Sequence, residues 1–327
     1  MKAMARLTYL YRMRLYSLLI RLKYYGKIFH LPSKSIRNDA FIVSMVDGHF
    51  LTTCGLADKL RGAISAYKFC ETNQLKYKLL FTDPFDLQDY LLPNKYDWFV
   101  DVADVHYNFS KAKPLVIMHS IKEVGVRNNY MKILDKMRCQ AKDIHLYTNA
   151  PFYNDNEEAA RIFNLLFKPT DRLLESINSC FSTIDDRKGY CSATFRFQQL
   201  LGDFKEGKFN VLPECEREIY IIKCLDIVKQ IHNKENCTIL VTSDSITFLD
   251  RAKELDFVYV IPDKVKHPAF EKEKQTDYTK SFVDMYMISK AKKVYRVYGG
   301  EMYMTGFPYF AAGITNAPFY DIKFELQ

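Results

Sequence analysis

Long apolar runs are missing from this chain. No stretch approaches the ~20 consecutive apolar residues that a membrane-spanning helix needs. Paired cysteines are missing too. The eight cysteines include no Cys-x-x-Cys, which argues against a zinc knuckle and a thioredoxin-type site. Eight thiols in 327 residues are too sparse for a disulfide scaffold. They are expected as reduced, packed side chains of a cytoplasmic protein. No Gly-x-Gly-x-x-Gly follows a strand pattern, and no Gly-rich loop ends in Lys-Ser or Lys-Thr. A dinucleotide dehydrogenase and a P-loop ATPase or kinase are therefore disfavoured. His-Glu-x-x-His and Gly-x-Ser-x-Gly are absent. No two aspartates stand two residues apart, so the Asp-x-Asp loop of metal-dependent sugar transferases is lacking. No metal site and no cofactor are expected. Any diphosphate is expected to be held by arginines and backbone amides.

Negative charge is missing from one end. Residues 1–38 carry Lys2, Arg6, Arg12, Arg14, Arg21, Lys23, Lys27, Lys34 and Arg37 but no acid, the first being Asp39. The chain as a whole has net charge +8 from 47 basic and 39 acidic residues. The remainder is therefore nearly neutral, which argues against a nucleic-acid-binding body. Leu7, Tyr11, Leu15, Leu18, Leu22 and Tyr25 recur at helical spacing on one face of this basic arm. Such a helix is suited to the interface of an anionic membrane through residues 1–30. The other readings are a first helix docked on the body and an RNA-binding arm. A signal peptide is disfavoured, because arginines interrupt the apolar residues and no small-residue cleavage site follows.

The composition, 48% hydrophobic and 26% charged, is that of a globular protein, and the length allows two domains. From Phe41 onward short apolar runs alternate with helical patterns, the signature of mainly parallel sheets. Strands are expected at 41–46, 77–81, 115–119 and 144–147, with helices over 57–70, 128–141, 157–167 and 170–181. The polar stretch Asp185-Asp186-Arg187-Lys188-Gly189 is read as a boundary, giving an arm at 1–38 and domains at 39–186 and 187–327. The second half restarts the alternation. Strands are expected at 192–197, 238–242, 259–261 and 293–297, and helices at 214–231, 245–254, 280–289 and 307–312. Two such units predict Rossmann-like domains facing each other across a cleft.

The most informative segment runs from Ser192 to Phe204. A strand of small and aromatic residues ends at Arg196, and Gly202-Asp203 follows in a loop. Ligands of open α/β sheets bind beyond the carboxyl ends of strands, so Arg196 is placed to meet an anion. The alternative is a scaffold ion pair with Asp203 or Asp186.

This segment resembles the arginine-containing peptide of inverting GT-B fucosyltransferases, a superfamily that includes α-1,6-, α-1,2-, nodulation and protein O-fucosyltransferases. Arg196 and Asp203 match its arginine and aspartate, with extra residues between, and Thr194 stands where the family usually has histidine. Leu240–Ser245 resembles the family's strand and Thr/Ser-Asp loop. Lys280–Ala291 resembles its Asp-x-x-x-Leu-Ser helix, and Thr305-Gly306-Phe307-Pro308 its final turn. Cys54–Gly62 resembles its N-terminal Gly-Leu-Gly-Asn-Arg/Gln-Leu loop.

The resemblance implies a GT-B fold and inverting, metal-independent transfer of a sugar, expected to be fucose, from a GDP-sugar. The acceptor is expected to be a glycan or lipid-linked chain in surface-polysaccharide synthesis. Arg196 would clamp the leaving diphosphate. Asp203 and Glu206 are candidates for the catalytic base, with Asp47 and Asp58 behind them. Donor contacts are expected from Asp244, Ser245, Asp284, Ser289, Thr305, Gly306 and Phe307. Gly55, Asp58 and Arg61 would line the acceptor side. Plainer roles stand beside these. Asp203 is also suited to holding its loop or orienting Arg196, Ser243 or Asp244 to capping a helix, Asp284 to capping or to an exposed helix position, and Arg61 to solvating its helix. His49, His106, His119 and His267 are read as structural or surface residues. A non-catalytic sugar-nucleotide or glycan-binding paralogue is the competing function.

Overall fold

The computed structural model describes residues 2–25, 41–118, 143–153, 155–184, 189–203, 211–262 and 276–326. Glu206, Asp186, His119, His267 and the helix expected at 128–141 lie outside them.

The chain packs as two compact units, residues 1–168 and 169–327. The division falls before the 186/187 boundary expected from composition. The reason is the helix over Asp171–Thr183, which belongs with the second unit. It packs on a helix of that unit, and Arg172 pairs with Asp277 at 2.9 Å.

The first unit opens with α1 (Lys2–Ile20), continued by a wide turn over Arg21–Tyr25. β1 (Phe41–Val46), α2 (Leu56–Thr72), β2 (Lys76–Phe81), β3 (Leu91–Pro93), β4 (Ala112–Ile117) and β5 (Asp143–Thr148) follow. Then come α3 (Asn156–Leu166) and β6 (Phe167–Pro169). Four strands form a parallel sheet in the order β2-β1-β5-β4, and β3 pairs with β6. All six residues of β5 are buried, as expected of a strand covered on both faces. α2 lies close on this sheet because Gly62 permits it. A Cβ there would sit 1.8 Å from the Thr148 carbonyl oxygen.

α1 docks on the body, but not through the face that the heptad-like spacing picked out. Met13 and Ile20 are buried with Tyr25 against Val43, Met45, Val116 and Tyr147. Polar contacts fix the same face. The Ser17 hydroxyl accepts from the Val116 amide at 2.9 Å, and Tyr9 donates to the Met118 carbonyl. Tyr11, Leu15, Leu18 and Leu22, four members of the expected apolar face, stay exposed, as does Leu19. Tyr25, the last of that set, is turned inward by the wide turn.

The second unit holds α4 (Asp171–Thr183), β7 (Tyr190–Phe195), α5 (Glu214–Glu235), β8 (Thr238–Ser243), α6 (Ile246–Ala252), β9 (Val258–Tyr259), α7 (Thr279–Ser289), β10 (Val294–Gly299), α8 (Phe307–Thr315) and β11 (Phe319–Phe324). Its five strands are parallel in the order β11-β10-β7-β8-β9. Thr170 caps α4, its hydroxyl accepting from the Leu173 amide. The central strand β7 is buried along its whole length, and Phe195, Phe197 and Phe248 pack with Cys224, Val228 and Ile239 as the core.

Candidate functional site

Arg196 is the first residue beyond β7, at the carboxyl edge of the second sheet. The parallel register sets Thr194 beside Thr242 and Phe195 beside Ser243. Continued by one step, it brings Arg196 to Asp244. The Arg196 Nε lies 3.3 Å from Asp244 Oδ2, with the arginine side chain 13% exposed and the aspartate fully buried. Asp244 also accepts from the Phe197 amide at 2.9 Å and the Gln198 amide at 2.7 Å. Burial raises the Asp244 pKa, and the arginine and the two amides offset this only in part. The scaffold ion pair thus exists, but with Asp244 and not with Asp203. It fixes the guanidinium plane at the strand terminus. Asp244 takes no part in capping the helix that follows.

That cap is Ser245, whose hydroxyl accepts from the Phe248 amide at 3.1 Å. The same hydroxyl donates to Asp203 Oδ2 at 2.8 Å, and the Thr247 amide donates to that oxygen at 2.7 Å. Asp203 therefore ties its loop to the start of α6, the loop-holding alternative read from sequence. A carboxylate at a helix N-terminus is favoured there by the helix dipole.

The turn before α8 reaches the same edge. The Tyr303 amide donates to the Arg196 carbonyl at 3.1 Å. Arg296, clamped by both Asp321 oxygens, donates to the Thr305 carbonyl at 2.9 Å. Thr305 Oγ1 accepts from the Phe307 amide at 3.2 Å. Gly306 begins α8 with no side-chain cap, and a Cβ on it would meet nothing within 4 Å. Tyr303, Met304 and Tyr309 stand exposed around this turn. Arg196, Asp203, Asp244, Ser245, Thr305, Gly306 and Phe307 thus gather at the carboxyl edge.

Two expected donor residues have other surroundings. Asp284 is buried in the middle of α7 and paired with Lys280 one turn earlier, neither the cap nor the exposed position of its plainer reading. Burial raises its pKa, and the lysine counteracts this incompletely. Ser289 sits at the C-terminal end of α7, and the hydroxyl of Tyr190, the first residue of β7, donates to Met287 nearby. Ser289 is therefore at the opposite edge of the sheet from Arg196. Its hydroxyl bonds the Tyr286 carbonyl at 2.7 Å, and its carbonyl accepts from Thr315.

In the first unit, Gly55 precedes α2 in an extended conformation. Asp58 pairs with Arg61, whose Nε donates to the Asn149 carbonyl at 2.9 Å. Within the same loop motif the sequence reading passed over Lys59. It is 1% exposed, and its ammonium donates to the Asp83 carbonyl at 2.8 Å. It also passed over the tyrosines that converge on Asp47 from Tyr107 and Tyr147. Spacing carries no signal for partners that lie 60 and 100 residues away.

No protein-family model matches the sequence, and neither does any curated protein. Solved structures do. The fucosyltransferase NodZ from Bradyrhizobium superposes with a TM-score of 0.52 at 12% identity, over 84% of this chain and 93% of that one. A mutant of Arabidopsis thaliana FUT1 in complex with GDP gives 0.53 at 11% identity, over 93% and 74%. POFUT1 in complex with GDP gives 0.51 at 10% identity, over 89% and 99%. The fold is that of these fucosyltransferases. The likeness spans both units, and at this identity it resides in the arrangement of strands and helices rather than in shared residues.

Proposed function

We propose that the protein is an inverting glycosyltransferase that moves a sugar, most simply fucose, from a GDP-sugar to a glycan or lipid-linked acceptor. The observation that carries this reading is Arg196 held at the end of β7 by Asp244, in a chain with the fold of fucosyltransferases solved with GDP. A guanidinium of fixed orientation suits a departing diphosphate, whose developing charge it stabilises. At the start of α8 the Phe307 amide is held by Thr305 and Pro308 has none, so the amides of Gly306 and Tyr309 are the backbone donors on the same edge. Metal independence is part of the reading. Its support is the sequence, which holds no Asp-x-Asp pair.

The test is a thermal-shift panel of GDP, UDP, CMP and their sugar conjugates, followed by assay of GDP release. GDP at a hundred times its Kd is expected to add ~2.7 kcal/mol of stability. Absence of any nucleotide shift rejects the reading. Arg196→Lys is expected to lower turnover ~10²–10³-fold, the scale of losing an aligned donor to a developing anion. Wild-type turnover in that variant removes Arg196 from the mechanism.

The second reading, a binding paralogue without turnover, has its own support in the deep pairing of Arg196 with Asp244 and of Asp284 with Lys280. GDP-sugar binding with no GDP release across a broad acceptor panel decides for it.

We also propose that α1 holds the protein on an anionic membrane, on the cytoplasmic side, where surface-polysaccharide acceptors are assembled. Among the described residues no helix is long and apolar enough to cross a membrane. The support is the outward stripe of Tyr11, Leu15, Leu18, Leu19 and Leu22 on a helix that has basic residues and no acid. Leu18→Glu is expected to abolish co-sedimentation with phosphatidylserine vesicles while leaving stability within ~0.5 kcal/mol. Unchanged sedimentation refutes the assignment.

A further inference from the structure

The wide turn that ends α1 also lines a cavity. Leu22, the last residue of the outward stripe, is followed there by Lys23, Tyr24 and Tyr25. Tyr25 is buried and Lys23 exposed. Lys23 and Tyr24 form one side of a cavity of about 290 Å³. Its other sides come from the carboxyl edge of the first sheet: Asp47 and His49 beyond β1, Thr82 beyond β2, and Tyr107 before β4. Every one of these residues belongs to the first unit. The volume is near the ~300 Å³ at which small-molecule sites begin.

The polar groups of this cavity form one ordered system. The Asp47 side chain is only 4% exposed, and its Oδ2 lies 2.9 Å from His49 Nδ1. The same oxygen accepts from the Tyr107 hydroxyl at 2.6 Å and the Tyr147 hydroxyl at 3.0 Å, while Oδ1 accepts from the His49 amide at 3.1 Å. Burial would raise the Asp47 pKa, but His49 and Tyr107 overcome it and hold the pKa below its ordinary value. Asp47 is thus a fixed anion that orients His49. With Nδ1–H directed at Asp47, the lone pair of the neutral ring lies on Nε2, where a ligand hydroxyl can donate to it. Tyr24 stacks on the imidazole at 3.6 Å between centroids, and Tyr107 meets it edge-on at 5.0 Å.

The charges of the wall, one on Lys23 and one on Asp47, cancel. The interior therefore suits a neutral ring bearing several hydroxyls, which finds an acceptor at His49, hydroxyls at Thr82 and Tyr107, and aromatic sides. An anion is favoured only at Lys23, the exposed residue of the wall that follows Leu22 directly in the chain.

We propose that this cavity receives the headgroup of a lipid in the leaflet on which α1 lies: a polyhydroxylated ring carried on a phosphodiester, the ring against His49, Tyr107 and Thr82 and the phosphate at Lys23. This rests on the membrane reading of α1 above and involves residues of the first unit alone. Placement favours a lipid over a soluble sugar, because the residue that would hold the phosphate adjoins the apolar stripe that would lie in the leaflet. The stripe then supplies attachment, and the cavity supplies the choice of lipid. His49, read from sequence as a structural or surface residue, becomes a ligand contact.

The experiment co-sediments the full-length protein with phosphatidylcholine vesicles that contain equal fractions of either phosphatidylinositol, which has ring and charge, or phosphatidylserine, which has the charge without the ring. Wild type is expected to prefer phosphatidylinositol about tenfold, the scale of one or two net hydrogen bonds. Thr82→Trp fills the cavity and keeps the Thr82 amide bond to the Val46 carbonyl. It is expected to erase the preference with phosphatidylserine binding within twofold of wild type, and His49→Ala is expected to do the same, circular dichroism checking that each variant is folded. Leu18→Glu is expected to abolish binding to both vesicles. Equal binding of the two vesicles by wild type, or a preference that survives in folded Thr82→Trp and His49→Ala proteins, overturns the proposal and leaves the membrane reading standing. Soluble glycerophosphoinositol that binds as tightly as the phosphatidylinositol vesicles in calorimetry overturns the lipid source. Wild type that sediments with neither vesicle overturns the membrane reading and this one with it.

Discussion

Removing the Asp244 carboxylate strands three donors at once: the Arg196 Nε and the amides of Phe197 and Gln198. The cost comes less from losing an attraction than from leaving two buried amides without their acceptor and a largely buried cation without this carboxylate. Asp244→Ala is therefore expected to destabilise the protein by ~3–5 kcal/mol in urea unfolding, and to lower nucleotide affinity by freeing the Arg196 plane. Asp47 and Asp244 respond to pH in opposite senses. A depressed carboxylate pKa, as at Asp47, contributes stability above its unfolded value of ~3.9 and loses it as pH falls through the folded value. A raised one, as at Asp244, contributes below the unfolded value and loses its contribution as pH rises through the folded value. Asp47→Asn is accordingly expected to flatten the loss of stability below about pH 4, read from urea midpoints across that range.

At the scale of elements, α1 carries two faces with different tasks. Met13 and Ile20 close the core of the first unit, so Ile20→Ala is expected to cost ~2–5 kcal/mol of stability by opening a cavity. Differential scanning calorimetry reads it directly. The Leu18 face contributes nothing to that core. The two carboxyl edges also have parallel designs. Each central strand, β1 or β7, ends in a charged residue that a partner holds in place: Asp47 by His49 and two tyrosines, Arg196 by Asp244. β-strand geometry explains the placement, since the first residue past a strand covered on both faces is the first whose charge can be paired by side chains and amides of the adjoining loops. α7 shows the converse. Its helix runs back across the sheet, so Asp284 and Ser289, five residues apart, have different fates. One is sealed against Lys280, and the other lies at the far edge.

For the whole molecule, the charge is concentrated where the chain begins. Nine basic residues precede the first acid, and each one near an anionic surface adds ~1 kcal/mol of attraction at physiological salt. Vesicle binding is therefore expected to weaken steeply between 0.1 M and 1 M salt, as the Debye length falls from ~10 to ~3 Å. Co-sedimentation across that range checks it, and salt-insensitive binding would assign the attachment to the apolar stripe alone. Deleting α1 is not an equivalent test. It would strip the cover from Val43, Met45, Val116 and Tyr147 and perturb the first unit itself.

The alternation of short apolar runs with helical patterns determined the α/β class, the order of the strands β1, β2, β5, β7, β8 and β10, and the position of Arg196 at a strand end. Those are local properties, written in periods of two and 3.6 residues. The edge strand β11 escaped notice because half-exposed residues such as Tyr320, Asp321 and Lys323 dilute an apolar run. The outward face of α1 was legible as a stripe, but its docked face was not. Met13, Ser17 and Ile20 are marked only by the strand they meet. Tertiary structure alone chose Asp244 as the partner of Arg196, through the register of β7 on β8. It also gathered Tyr107 and Tyr147 around Asp47, because hydrogen bonds between distant segments depend on which chain ends the sheets bring side by side, and no local periodicity records that.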